Sequence, residues 1–159
     1  MPLVHPLTPP RSLADAERLR RMAAQAALNM GCLPLVAYGA LREEERTALE
    51  AMLPAQSYLT ERVDFAAVLP HVAAAIHHGG AGTTHALVLQ GVPQMVVPHA
   101  GDQGVQARAV ARCGIGDYCP AREMTVERAQ RTLAALLPDR SHFRSNALTL
   151  KKEFAALGG

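Results

Sequence analysis

The sequence predicts an α/β domain with a mostly parallel sheet and helices on both of its faces. Short apolar runs of strand length alternate along the chain with longer segments in which apolar residues recur every three or four positions. Such alternation is typical of strands joined by crossover helices. The 159 residues have the length of one domain and, with 49% apolar content, can build a single core. No linker or repeat divides the chain, so residues 1–159 are predicted to form one domain.

The first half of the chain begins with a short strand at Leu3–Leu7, followed by a break at Thr8-Pro9-Pro10. Ser12 and Asp15 form a capping-box pattern that starts a helix, and Gly31 is placed to end it. The elements that follow are a strand at 34–38, a charged helix at 42–53, a short strand at 58–60 and a helical turn at 65–69.

The second half contains an apolar strand at 72–76, followed by a glycine-rich turn and a helix at 83–90. Next come a strand at 94–97, a loop, a helix ending at Cys113, a short strand at 115–119, and helices that begin at Thr125 and Ser141. In a parallel sheet the carboxyl ends of the strands share one edge, and ligands bind there. The turn after residue 76 and the loop after residue 97 are both expected at this edge.

Composition and spacing exclude several classes of function. The net charge of +2 and the scattered arginines argue against nucleic-acid binding. No apolar run approaches the roughly twenty residues of a membrane span, and no secretory signal pattern is present, so a cytoplasmic protein is expected. The three cysteines lack CxxC spacing, which favours reduced structural thiols. The histidines lack the spacing of zinc ligands, so no metal site is expected.

The turn His77-His78-Gly79-Gly80-Ala81-Gly82-Thr83-Thr84 has the chemistry of an anion-binding loop. Its glycines allow backbone conformations closed to other residues and a close approach to a ligand. The first N–H groups of the following helix lack partners within the helix and carry partial positive charge, which attracts phosphate. Thr83, Thr84 and His78 add side-chain donors. The alternative is structural: the glycines make a tight turn, Thr83 caps the helix, and the histidines are partly buried.

The sequence of this turn does not match two common phosphate-binding loops. A Walker-type loop requires a Gly-Lys-Ser/Thr sequence, and the lysines of the chain are Lys151 and Lys152. A dinucleotide fingerprint requires GxGxxG, and the third glycine is missing after Gly80 and Gly82. A phosphate at this turn must therefore be held in another way.

Asp102 and Gln103 follow the next strand and are expected at the same edge. A carboxylate beside a carboxamide can accept and donate hydrogen bonds to neighbouring hydroxyls of one sugar ring. The alternative is that Asp102 only caps the helix that begins near Gly104, since aspartate is a favoured N-cap residue. Together with a phosphate-binding turn, the pair indicates a ligand with both phosphate and hydroxyl groups, such as a nucleotide sugar.

Residues 62–116 resemble the donor-binding signature of family-one glycosyltransferases, which include the UDP-glycosyltransferases and the bacterial enzymes that glycosylate macrolides. The matching residues are Val68-Leu69-Pro70-His71, His77-His78-Gly79-Gly80-Ala81-Gly82-Thr83-Thr84, Gly91-Val92-Pro93-Gln94, Pro98 and Asp102-Gln103. The flanking elements extend the resemblance to nearly the whole chain, as the Rossmann-like, doubly wound C-terminal half of the two-domain GT-B fold. The resemblance implies a hexosyltransferase for which the nucleotide sugar is a substrate and no cofactor or metal is needed.

The resemblance also implies roles for individual residues. His78 would bind the diphosphate of the donor, and Asp102 and Gln103 would hold hydroxyls of the sugar. The other residues implied in diphosphate binding are Gly80, Gly82, Thr83, Thr84 and, through a short match after the first strand, Thr8.

The base-binding part of the signature departs from the family pattern. Arg62 stands where many relatives have a tryptophan that stacks on the base, and Asp64 stands where a proline follows. A guanidinium can also stack on a pyrimidine, so Arg62 and the backbone of Val63 are expected to bind the base. The alternative for Arg62 is a solvated surface residue. Ala86 replaces an acidic residue that holds the ribose in plant members, and both UDP and dTDP remain open.

The catalytic base of the family lies in an N-terminal acceptor-binding domain, and none precedes Met1 in this sequence. We therefore expect a chain without a catalytic residue, which binds a UDP- or dTDP-hexose and supports inverting transfer only with an acceptor-binding domain or partner chain. The alternatives are a donor-binding subunit of a split two-chain glycosyltransferase and a nucleotide-binding module without transfer activity. An exposed interdomain face is expected to favour homo-oligomers.

Overall fold

The computed structural model describes residues 3–7, 13–39 and 41–157, so Thr8 and Ser12 lie outside the described residues. The described strands are β1 (Leu3–Leu7), β2 (Leu33–Ala37), β3 (Tyr58–Thr60), β4 (Val72–His77), β5 (Gln94–Val96) and β6 (Gly116–Tyr118). They form a parallel six-stranded sheet in the order β3-β2-β1-β4-β5-β6. This is a doubly wound order, in which ligands bind where the strand order reverses, here between β1 and β4. The predicted fold class is confirmed.

Helices cover both faces of this sheet. They are α1 (Leu13–Asn29), α2 (Glu43–Met52), α3 (Phe65–Val68), α4 (Ala81–Gln90), α5 (Gln103–Arg112), α6 (Val126–Leu136) and α7 (His142–Ala156), with 3₁₀ turns at Leu69–His71 and Ala121–Glu123. One face packs α1, α2 and α6, with Ala74 and Ile76 of β4 in its core. The other packs α3, α4, α5 and α7, with Ala75 of β4 in its core. Because side chains alternate along a strand, His77 lies on the same side as Ala75, towards α4.

The central strand β4 has the character expected of a strand covered on both faces. Each of its six positions, from Val72 to His77, is buried. It pairs with β1 up to the Leu7↔His77 register and with β5 up to the His77↔Val96 register. The carboxyl ends of these three strands therefore meet at one edge of the sheet.

The helix starts agree with the sequence in two places and differ in one. Thr125 and Ser141 cap α6 and α7, each accepting a backbone N–H at 3.1 Å. Helix α4, by contrast, begins at Ala81 and not at residue 83. Glycines disfavour helix, but Gly80 takes an extended N-cap conformation and its carbonyl accepts the Thr84 N–H at 3.0 Å. The N-terminus of α4 therefore reaches further into the glycine-rich turn.

The described residues also bear on the excluded classes of function. They include no helix long and apolar enough to cross a membrane. Nor do they hold a group of three or more His, Cys, Asp or Glu residues that could bind a metal ion. The cysteines are free, and burial raises the pKa of the Cys32 and Cys119 thiols, which makes both poor nucleophiles at neutral pH.

Candidate functional site

The turn that follows β4 depends on Gly79. This residue has φ of +92°, a conformation that L side chains rarely adopt. A Cβ atom at this position would lie 2.7 Å from Val96 Cγ1 and 3.1 Å from the carbonyl oxygen of Gln103. Glycine is therefore required both by conformation and by close approach. The same approach brings the turn directly against the Asp102-Gln103 loop at the start of α5.

The start of α4 presents backbone N–H groups to solvent. Thr84 is the first residue whose N–H bonds back within the helix, to the Gly80 carbonyl, so the N–H groups of Ala81, Gly82 and Thr83 have no partner in this ladder. Gly80 stands at the N-cap and has no side chain to accept them. Ala81 and Gly82 are exposed, and a Cβ atom built on Gly82 would meet no described atom within 4 Å. This end of the helix is open to an anion.

The His78 imidazole lies over this helix start. It is half-buried, and its Nε2 is 2.7 Å from the position that a Cβ atom of Gly80 would occupy. The imidazole therefore occupies the space that the Cβ atom of any other residue at position 80 would need. A donor nitrogen of the imidazole and the helix N–H groups are thus brought beside one another, which is the arrangement a bound phosphate needs.

The two threonines of the turn differ in their surroundings. Thr83 is half-buried, whereas Thr84 is only 6% exposed. The Thr84 hydroxyl donates to the Gly80 carbonyl at 2.9 Å, so its hydrogen is already engaged inside the helix. The roles of Gly80, Gly82, Thr83 and Thr84 towards a diphosphate stay predictions, and Thr84 acts in this structure by bracing the turn.

The Asp102-Gln103 loop leaves its polar groups available to a ligand. Asp102 occupies the N-cap position of α5, but its exposed carboxylate makes no capping hydrogen bond in the described chain. The Gln103 Oε1 atom accepts the N–H groups of His99 and Ala100 at 2.8 and 3.2 Å, which fixes the loop. With its oxygen used in this way, Gln103 keeps its amide nitrogen to donate to a bound group.

His99 lies at the same edge, between the Asp102-Gln103 loop and the start of α1. Burial lowers the pKa of His99, the nearby His78 lowers it further, and Asp15 opposes both effects. Its side chain lines a cavity of about 340 Å³ whose walls also come from the start of α1 and from the turn after β6. His99 is therefore kept neutral at neutral pH beside the candidate anion site.

The structure places Arg62 and Val63 further away. Both follow β3, at the outer edge of the sheet, and β2 and β1 separate that strand from β4. Arg62 is exposed and its carbonyl accepts the Thr60 hydroxyl at 2.7 Å, while Val63 is half-buried. Asp64 caps α3 by accepting the N–H groups of Ala66 and Ala67, which gives a local reason for an aspartate there. Base binding by Arg62 and Val63 stays a prediction, and Thr8 is outside the described residues.

Sequence reasoning included Gln94 in the family signature but missed its role. This glutamine is fully buried at the start of β5 and lies 2.9 Å from the ring of His77, which is itself 1% exposed. The available signals were its place in that signature and the occurrence of a polar residue at the head of an otherwise apolar strand. Its partner cannot be read from spacing along the chain, because it depends on which strands are neighbours.

Comparisons with known proteins show the family of this chain. The family model described as "Erythromycin biosynthesis protein CIII-like, C-terminal domain" matches residues 37–157. The chain is 34% identical over 90 residues to 3-alpha-mycarosylerythronolide B desosaminyl transferase of Saccharopolyspora erythraea, covering 57% of this chain and 21% of the relative. It is 45% identical over 85 residues to elloramycin glycosyltransferase ElmGT of Streptomyces olivaceus, covering 54% of this chain and 21% of the relative. The match thus spans about a fifth of each relative.

Solved structures show the same architecture. The glycosyltransferase VinC, crystallised in complex with dTDP, superposes with a TM-score of 0.80 at 26% identity, covering 99% of this chain and 38% of VinC. CalG4, the calicheamicin glycosyltransferase, superposes with a TM-score of 0.82 at 21% identity, covering 99% of this chain and 39% of CalG4. This chain therefore belongs to the EryCIII-like C-terminal domain family and has the fold of the C-terminal domain of a GT-B glycosyltransferase.

Proposed function

We propose that this chain binds the nucleotide diphosphate of a sugar donor, a UDP- or dTDP-hexose, at the carboxyl edge of its sheet. The observation that carries the proposal is the position of the His78 ring over Gly80, at an uncapped helix N-terminus that abuts the Asp102-Gln103 loop. The occurrence of dTDP in VinC supports a nucleotide diphosphate as the ligand class.

The diphosphate lies against the start of α4 in this proposal. The N–H groups of Ala81, Gly82 and Thr83 and the His78 imidazole donate to its oxygens, and the helix dipole favours its charge. Gly82 leaves room for the phosphate because it has no side chain on the open side. Thr8 follows β1 in the sequence and lies outside the described residues; in this proposal its hydroxyl is a further donor to the diphosphate.

The hexose lies over the Asp102-Gln103 loop. The uncapped Asp102 carboxylate accepts hydrogen bonds from sugar hydroxyls, and the Gln103 amide nitrogen donates one. Because Gly79 packs against Gln103, the distance between the diphosphate and sugar subsites is set by rigid backbone. The base extends towards β3, where Arg62 stacks on it and the backbone of Val63 contacts its edge.

The reaction that this site serves is inverting transfer to an acceptor hydroxyl. A general base outside this chain takes the hydroxyl proton, the acceptor oxygen bonds to the anomeric carbon, and the bond from that carbon to the diphosphate oxygen breaks. The leaving diphosphate keeps the electron pair. The groups at the start of α4 stabilise that developing charge, which is an electrostatic contribution to catalysis. The chain by itself is accordingly expected to bind the donor and to transfer sugar poorly or not at all.

Calorimetric titration with UDP, dTDP and their hexose conjugates tests the proposal. His78→Ala should weaken binding of the diphosphates about tenfold or more, because a hydrogen bond to a charged group contributes about 1.5–3 kcal/mol. His71→Ala is the matched control, since His71 is exposed in the 3₁₀ turn before β4, at the opposite edge of the sheet. The proposal fails if neither nucleotide binds saturably, or if both histidine variants bind like the wild type.

A further inference from the structure

A network of buried hydrogen bonds lies directly beneath the glycine turn. His77 is 1% exposed and Gln94 is fully buried. Because side chains alternate along a strand, they lie on the same side of the sheet as Ala75 and Val96, which α4 and α5 cover. The His77 Nε2 atom lies 2.9 Å from Gln94 Oε1, and Gln94 Nε2 donates to the Thr84 carbonyl at 3.3 Å. On its other side the His77 ring accepts the Gly79 N–H at Nδ1, at 3.2 Å. The Thr84 hydroxyl donates to the Gly80 carbonyl, which links the network back to the turn.

The direction of these hydrogen bonds follows from the groups themselves. The Thr84 carbonyl can only accept, so the amide nitrogen of Gln94 faces it and the amide oxygen faces His77. The Nε2 atom of His77 must then carry a hydrogen. The Gly79 N–H can only donate, so Nδ1 must offer a lone pair. These partners therefore assign to His77 the Nε2–H tautomer, in which the hydrogen bonds all run in one direction, from Gly79 through His77, Gln94 and Thr84 back to Gly80.

This arrangement ties the shape of the turn to the chemistry of one side chain. Gly79 holds a φ of +92°, and its N–H is anchored by His77 Nδ1. With a hydrogen on Nδ1, two N–H groups would face each other and Gly79 would lose its acceptor. The backbone at Gly79 and Gly80 sets where the next groups lie, namely the His78 ring and the open N–H groups of α4.

We propose that His77 is a positioning residue for the donor diphosphate: as the Nε2–H tautomer held by Gln94, it fixes the turn that presents His78 and the α4 N-terminus. The inference rests on the proposed function, which concerns the same site. His77 itself lies on the α4 side of the sheet and does not touch the ligand. The contribution of His77 is to fix the geometry of the donors that do touch the ligand, so these donors need not reorganise when the anion binds.

Two substitutions with nearly the same shape separate this role from simple packing. In His77→Asn the Oδ1 atom takes the place of Nδ1 and can accept the Gly79 N–H, whereas His77→Leu fills the same space without an acceptor. We expect the asparagine variant to bind UDP or dTDP within about threefold of the wild type and the leucine variant to bind about tenfold more weakly. A packing role predicts no such difference, or a preference for leucine.

A spectroscopic measurement on the unmodified chain tests the tautomer independently of any variant. A long-range ¹H–¹⁵N spectrum should show His77 Nε2 protonated and Nδ1 unprotonated, and the Gly79 amide should be protected from hydrogen exchange. Protonated Nδ1, or equal affinity of the two His77 variants while the wild type binds nucleotide, would overturn this inference and leave the proposed function standing. If the wild type binds neither nucleotide, the proposed function fails and the inference fails with it.

Discussion

Replacing Gly80 with alanine tests whether the His78 ring must lie over the start of α4. The backbone of Gly80, with φ of −63° and ψ of 136°, is open to any L residue, so the substitution adds a methyl group without backbone strain. The new Cβ atom would lie 2.7 Å from His78 Nε2 and 3.4 Å from Cε1. Non-bonded heavy atoms pack at about 3.5 Å or more, so the imidazole has to leave its present position.

The expected magnitudes separate binding from stability. Glycine is a better N-cap than alanine by roughly 0.5–1 kcal/mol, but alanine reduces the conformational entropy of the unfolded chain, which offsets about 0.4–1 kcal/mol. The free energy of unfolding should therefore change by less than about 1 kcal/mol. The displaced His78 loses a charge-assisted hydrogen bond of about 1.5–3 kcal/mol, so nucleotide affinity should fall roughly ten- to hundredfold.

Titration calorimetry with UDP and dTDP measures the affinity, and urea unfolding measures the stability. The decisive comparison repeats Gly80→Ala in a His78→Ala background, where the methyl group has no ring to displace. There it should change affinity little, because the two substitutions remove the same interaction. An equal loss in both backgrounds would mean that the methyl group blocks the phosphate directly, and unchanged affinity of the single variant would mean that the ring position does not matter; either result refutes the reasoning.

Two further predictions concern the neighbouring residues. Gly79→Ala should lower the free energy of unfolding by at least about 2 kcal/mol in urea titrations, since it combines a positive φ with a Cβ atom 2.7 Å from Val96 Cγ1; a change within error would show that the turn relaxes freely. His99 has a lowered pKa in the folded chain, so the unfolded chain takes up its proton first and stability should fall as the pH drops below about 6.5. His99→Gln should flatten this part of the pH profile of unfolding, and an unchanged slope would contradict the assignment.

Fold class was predictable because it depends on local patterns. The apolar run of β4 and the glycine and proline residues between elements mark the alternation of strands and helices, and Thr125 and Ser141 carry their capping function in their own side chains. The early start of α4 was not predictable in the same way. Glycine at positions 80 and 82 disfavours helix locally, and packing of α4 on the sheet outweighs that preference.

The environment of individual polar groups was harder to predict, because it depends on strand order. Sequence reasoning left two roles open for Asp102, and the structure leaves its carboxylate without a capping bond. It treated Thr84 as a donor to phosphate, which stays a prediction, and did not foresee that its hydroxyl donates to the Gly80 carbonyl. Gln94 was named only as part of the family signature, and its role was not predicted, since its contact with His77 exists only because β4 and β5 are neighbours.

The adjacent histidines His77 and His78 are identical side chains in different surroundings. His77 is the last residue of β4, and its ring points towards α4, where Gln94 and Gly79 use both of its nitrogens. His78 follows the strand end, and its ring lies over Gly80 at the open edge of the sheet. Substitutions at the two positions should therefore differ in kind. We expect loss of His78 to remove the proposed contact with the ligand and to leave the fold intact. Loss of His77 is expected to alter the hydrogen bonding of the turn itself and to change affinity through the backbone.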